Sequence, residues 1–234
     1  MRLFFLISSL SCLFLLTDCS TQLGGKNRGL KLVWADEFSG NEPVNRDKWD
    51  FDIGGKGWGN NELQHYTART TNARQLNGKL IVEAHKEDYE EITYTSARLV
   101  TRGKKTWGPG HRIAIRAKLP SGRGTWPAIW MLGENIKTVG WPTCGEIDIM
   151  EHVGFKPDSI YGTVHTKALN HMLGTQVGGV IPATDLETNF HIYSIDWTPK
   201  RIDFKLDGVT YLTIFRPADD SVAKWPFDGP HYLL

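Results

Sequence analysis

The sequence predicts an all-β domain, a sandwich or barrel of many short strands with almost no helix. Three observations carry that prediction. Apolar and polar residues alternate with a period of two, most plainly in RIAIRAKL at 112–119, and a strand sends successive side chains to opposite faces. Turn signals separate short β-rich runs throughout the chain. The 24 Gly and 11 Pro are dispersed rather than blocked together, as many turns and few long helices require. The chain has 234 residues, the size of one large β domain. With 40% hydrophobic and 23% charged residues it has the balance of a packed globule, which excludes disorder. The 27 Lys+Arg set against 26 Asp+Glu leave no electrostatic footprint for nucleic acid.

Residues 1–19 read as an export signal. Met1-Arg2 is a basic start, and residues 3–16 form an uncharged apolar run, shorter than the roughly 20 residues of a spanning helix. No A-x-A cleavage site follows. Leu16-Thr17-Asp18-Cys19 instead resembles the lipobox of bacterial lipoproteins, with Asp18 where that pattern prefers Gly, Ala or Ser. The expectation is a lipid on Cys19 and a protein exported and anchored to the bacterial cell envelope. Cys12 leaves with the leader and Cys144 remains a lone thiol, so no disulfide framework forms. Residues 20–29 (STQLGGKNRG) read as a flexible tether. Residues 30–234 contain no second linker and no repeat, and form one domain.

Within the domain, KLIVEA (79–84), RIAIRAKL (112–119), FHIYSIDW (190–197), RIDFKL (201–206) and VTYLTIF (209–215) read as strands. Asn77-Gly78 and Pro120-Ser121-Gly122 are turns, and Asp207-Gly208 is a two-residue hairpin signal. A turn or two of helix is expected at 219–224. Residues 231–234 open a further apolar strand with no turn or polar tail after it, so the domain is expected to be C-terminally incomplete.

The feature that points to chemistry is GEIDIMEHVG at 145–154. Glu146 and Asp148 share one face of a strand, and Ile147 and Ile149 the other. Strict alternation would turn Glu151 into the core. One extra residue restores its phase, so a β-bulge is expected near Ile149–Met150, with all three carboxylates on one face. Acids this close resist joint ionisation, so at least one pKa should rise. An ionised carboxylate beside a protonated one is what glycoside hydrolysis needs. The alternatives for such a pattern are a solvated strand face or a calcium site.

This segment resembles the active-site signature of glycoside hydrolase family 16, in the laminarinase (endo-β-1,3-glucanase) form with an extra residue before the last Glu. WGNNELQHYT (58–67), YTSAR (94–98), KLP (118–120), GTWPAIWML (124–132) and Trp141-Pro142 also match the family, in collinear order from about Leu30 onward. The resemblance implies a β-jelly-roll of two antiparallel sheets, with an open cleft for β-glucan on the concave face and retention of configuration. It makes Glu146 the nucleophile and Glu151 the acid and then base, with Asp148 between them setting protonation. It also implies that the family continues past Leu234 with further cleft strands.

Trp126, Trp130 and Trp141 are expected in the cleft, because a sugar's C–H face packs on an indole. Trp is equally a core residue. Arg98 is expected to bind sugar hydroxyls or a catalytic carboxylate, the alternative being a salt bridge. Asn61, or its neighbour Asn60, is a candidate hydroxyl ligand. His165 resembles a family histidine near the nucleophile. His152 and His171 are expected at the surface. No H-E-x-x-H, Cys/His ligand spacing or G-x-S-x-G is present, so no cofactor is expected to take part. Any calcium would be structural, on main-chain oxygens near Glu37 and Gly78. The expected function is endo-hydrolysis of laminarin-like β-1,3-glucan by a monomer. A family relative acting on mixed-linkage glucan or algal galactan is the alternative. A non-catalytic glucan-binding protein would have lost the acids that are all present here.

Overall fold

The structure is a computed structural model, and it describes residues 29–219 and 221–234. The expected leader, Cys19 and tether residues 20–28 lie outside them. Residues 34–234 form one compact unit. It is built from β1 (Asp50–Asp52), β2 (His65–Tyr66), β3 (Ala73–Gln75), β4 (Leu80–Val82), β5 (His85–Tyr89), β6 (Ile92–Ser96), β7 (Arg98–Val100) and β8 (His111–Ala117). Then follow β9 (Ala128–Gly133), β10 (Glu146–Glu151), β11 (Ser159–His165), β12 (Val177–Pro182), β13 (His191–Thr198), β14 (Arg201–Leu206), β15 (Val209–Phe215) and β16 (His231–Leu233).

Two antiparallel sheets dominate, a five-stranded one in the order β12-β11-β10-β9-β16 and a four-stranded one in the order β15-β14-β13-β8. The period-two pattern explains how they pack. Ile147, Ile149 and Met150 of β10 and Ile160 and Val164 of β11 are buried in one cluster with Tyr193 and Ile195 of β13 and Ile202 and Phe204 of β14. The inner faces of the two sheets therefore meet in a single core, the aligned sandwich that buries alternate residues of every strand. The opposite face of the five-stranded sheet is left for the polar partners of those residues, with β10 as its central strand.

The hairpin signals act as expected. Asp207 and Gly208 have φ of 49° and 82°, and Asn77 and Gly78 have 52° and 70°. Two successive positive φ values are the type I′ geometry that matches strand twist. Helix lies elsewhere than expected. One turn, α1, spans Ile136–Val139 and stops at Gly140, and 3-10 turns occupy Gly57–Gly59 and His171–Leu173. Residues 221–225 form a hydrogen-bonded turn in which Ser221 O accepts from the N–H groups of Lys224 and Trp225. Pro217 and Pro226 bracket it, which leaves too few residues to offset helix nucleation.

Candidate active site

The site is set by the register of β10. Against β9, Glu146 lies opposite Leu132, Ile147 opposite Met131 and Asp148 opposite Trp130; the next pairs are Met150 with Ile129 and Glu151 with Ala128. Ile149 is passed over. The same slip appears against β11, where Asp148 pairs with Thr163 and Glu151 with Tyr161. This is a β-bulge at the position that residue counting requires. It turns Ile149 and Met150 both inward, where each is 1% exposed, and returns Glu151 to the face of Glu146 and Asp148.

Two indoles address the outer acids. Trp141 Nε1 donates to Glu146 Oε2 at 2.9 Å, and Trp126 Nε1 donates to Glu151 Oε1 at 3.0 Å. Trp126 precedes β9 in a loop and is 63% exposed, whereas Trp141 is half-buried. His165, at the end of β11 and opposite Glu146, places Nε2 3.4 Å from Asp148 Oδ2 and 3.7 Å from Glu146 Oε1.

Burial dominates the electrostatics. Glu146 is pushed up to about 7 by burial and by the charge of Glu151, against the Trp141 hydrogen bond and the charge of Arg98. Asp148 is raised well above its ordinary value by burial and then by Glu146 and Glu151. Burial also raises Glu151, opposed by the Trp126 hydrogen bond. His165 is pushed down to about 4 by burial and then by His171, so its ring is neutral at neutral pH. Burial and mutual repulsion therefore oppose full ionisation of the three acids, and Asp148 is the most buried of them.

Arg98 on β7 is not hydrogen-bonded to a catalytic carboxylate. Its guanidinium carbon lies 4.7 Å from the Trp58 ring centroid and 4.6 Å from that of Trp130, and Nε is 3.4 Å from Asp52 Oδ2. A guanidinium held between two indole faces is a desolvated cation–π arrangement. It ties Trp130, the cross-strand partner of Asp148, to the loop that carries Trp58. Asn61, with φ of 55°, stands exposed in that same loop, and Asn60 beside it is also exposed.

Two histidines differ from the expectation. His152 is fully buried rather than at the surface. It follows Glu151, so alternation turns it away from the acids, and the next loop closes over it with Pro157 O 3.3 Å from Nε2. His171 is exposed as expected, yet it belongs to the site's surroundings. Its ring lies 5.1 Å from that of Trp141 and 5.2 Å from that of His165. No local pattern marks it, because the contact depends on the fold of the loop after β11. Among the described residues, Glu146, Asp148 and His165 are the set whose ligand atoms converge closely enough to hold a metal ion.

A family model described as Glycosyl hydrolases family 16 matches residues 59–233. A beta-glucanase of Rhodothermus marinus is 54% identical over 212 residues, covering 87% of this chain and 73% of that protein. A glucan endo-1,3-beta-glucosidase of Cryptopygus antarcticus is 41% identical over 189 residues, covering 78% and 68%. The X-ray structure of the laminarinase from Rhodothermus marinus superposes with a TM-score of 0.84 at 54% identity, over 87% of this chain and 83% of that one.

Proposed function

Because this chain belongs to glycosyl hydrolases family 16, we propose that it cuts internal β-1,3-glucosidic bonds of laminarin-like β-glucans with retention of configuration, through Glu146, Asp148 and Glu151. The observation that carries the proposal is the bulge that sets Glu146, Asp148 and Glu151 on one face of β10, with an indole N–H on each outer acid and the buried Asp148 between them.

The chemistry follows from those partners. Trp141 and the charge of Arg98 favour the ionised form of Glu146, which attacks the anomeric carbon. Glu151, its pKa raised by burial, acts as the acid and passes a proton to the departing glycosidic oxygen. Once Glu146 is an ester its charge is gone. Glu151, now deprotonated and hydrogen-bonded to Trp126, takes a proton from water as the water oxygen attacks the same carbon. Two displacements restore the β configuration. Asp148, whose ionisation is opposed by burial and by its neighbours, limits the repulsion that a third charge would add.

Both proton transfers run through Glu151, which gives a proton to the leaving oxygen and takes one from water. Calcium, if bound, serves stability. Its place would be at main-chain oxygens near Glu37 and Gly78, since carbonyl oxygens suit that hard ion. Chelation is then expected to lower Tm without altering kcat. Export with a lipid on Cys19 belongs to the same proposal, and Cys19→Ala is expected to release the protein from membranes.

The test is reducing-sugar release from laminarin, lichenan, agarose and carrageenan, with proton NMR of fresh product. Laminarin is expected to be cut fastest and the β-anomer to appear first. Preferential cleavage of a galactan, or early α-anomer, would overturn the assignment.

A further inference from the structure

Glu146, Asp148 and His165 each offer one ligand atom, and these atoms lie within 4.8 Å of one another. We propose that they form a binding site for a first-row transition-metal cation of zinc's type, and that the bound ion reversibly blocks the site it occupies.

Three features support this beyond the presence of acids. The donor set is mixed, one imidazole nitrogen and two carboxylate oxygens, which suits zinc, copper or nickel. Calcium and magnesium prefer shells made wholly of oxygen. The donor atoms are also uncommitted. Asp148 Oδ2 is buried without a hydrogen-bond partner and lies 3.4 Å from His165 Nε2. Trp141 engages Glu146 through Oε2, and it is Oε1 that lies 3.7 Å from His165 Nε2. Finally, the basic group at contact distance from Glu146 and Asp148 is His165 itself. The nearby guanidinium, Arg98, is spent on Asp52 and two indole rings. Glu146 keeps 14% of its side-chain surface exposed, which leaves an entry path.

The site lacks one feature of a permanent metal centre. His165 Nδ1 is buried with no acceptor, whereas resident metal sites anchor that nitrogen through an outer hydrogen bond. Binding is therefore expected to be reversible. A metal on Glu146 Oε1 would exclude the anomeric carbon, so inhibition should be competitive with glucan.

Zinc chloride titrated into the full chain by calorimetry is expected to show one saturable site. Cobalt chloride should give a visible d–d band that zinc abolishes. Calcium and magnesium should neither bind there nor displace cobalt. His165→Gln and Glu146→Gln should each weaken zinc by about tenfold or more, with unchanged circular dichroism. His191→Ala, at a separate His/Asp grouping with Asp185 and Asp207, should bind zinc as the parent does. On laminarin, zinc should raise KM and leave kcat unchanged.

Absence of saturable binding would overturn the proposal. So would equal zinc affinity in both His165→Gln and Glu146→Gln, or loss of binding in His191→Ala alone. Should one substitution disturb folding, the other still decides. The inhibition pattern rests on the nucleophile assignment, but the calorimetric and cobalt measurements do not. Zinc binding without competitive inhibition would therefore count against the role of Glu146 and leave the metal site standing.

Discussion

Trp141 and Glu146 stand five residues apart in sequence and meet as donor and acceptor at 2.9 Å. The indole N–H stabilises the carboxylate form that the first displacement consumes. Trp141→Phe keeps the ring and removes the donor, so the pKa of Glu146 should rise above about 7. The acid limb of kcat/KM is expected to move to higher pH by about one unit, the scale of a hydrogen bond to a charged group. An unmoved acid limb would show that the contact does not act on the ionisation that matters.

Trp126→Phe should act on the other limb. It removes the donor to Glu151 and raises that acid's proton affinity, so the alkaline limb should move upward. The two limbs report apparent values of the coupled acids, and the comparison between variants identifies which acid each limb follows.

Glu151→Gln is expected to suppress laminarin hydrolysis and to spare aryl β-glucosides with good leaving groups, which need little protonation. Glu146→Gln should abolish turnover of both, because an amide cannot form the glycosyl ester. Release of nitrophenol by Glu146→Gln at a rate near that of the parent would remove it as nucleophile.

Stability should respond to pH through the same group. Glu146 has its pKa raised from 4.5 to about 7, so the folded state holds a proton that the unfolded state gives up. Its cost is absent below pH 4.5, grows between 4.5 and 7, and is complete above 7. Glu146→Gln is therefore expected to match the parent in unfolding free energy near pH 4.5 and to exceed it above pH 7, by roughly 1–3 kcal/mol. His165 and His231, both pushed down to about 4 by burial, act with the opposite sign between 4 and 6.5. The difference between the two proteins, taken across pH, is therefore the quantity to measure.

The loop that carries Trp126 depends on Gly154. A Cβ there would meet Gly122 O at 1.9 Å and Thr125 Oγ1 at 2.4 Å. Gly154→Ala must push the 122–125 loop away and take Trp126 from Glu151. A loss of about 1–3 kcal/mol in stability is expected, with kcat falling more than KM rises. Unchanged kcat would mean that the loop yields without moving the indole.

Much of this site was legible in the sequence because it lies on one strand. Counting faces along residues 146–151 predicts both the bulge and the common face of the acids, and the paired Gly turns locate two hairpins. What escaped the sequence depends on distant chain segments. The burial of His152 needs the 153–158 loop to fold back on it. The place of His171 beside Trp141 and His165 is set by a loop with no periodic pattern. The sequence offered Arg98 either a sugar or carboxylate role or a salt bridge, but it could not name the partners Asp52, Trp58 and Trp130, which come from three separate stretches of chain. Helix α1 is a single turn, too short to leave a period.

The bulge has a consequence for chain length. Beyond Asp148, β10 spends three residues where β9 and β11 each spend two steps. Deleting Ile149 would make both ladders continuous while Glu146, Asp148 and the last Glu kept their facing partners Leu132, Trp130 and Ala128. Insertion of a second extra residue would instead turn Glu151 inward. The strand should therefore tolerate losing one residue there and reject gaining one. The shortened chain should remain a glucanase, weakened by about 2–5 kcal/mol for the missing core side chain, whereas the lengthened chain should lose its acid altogether.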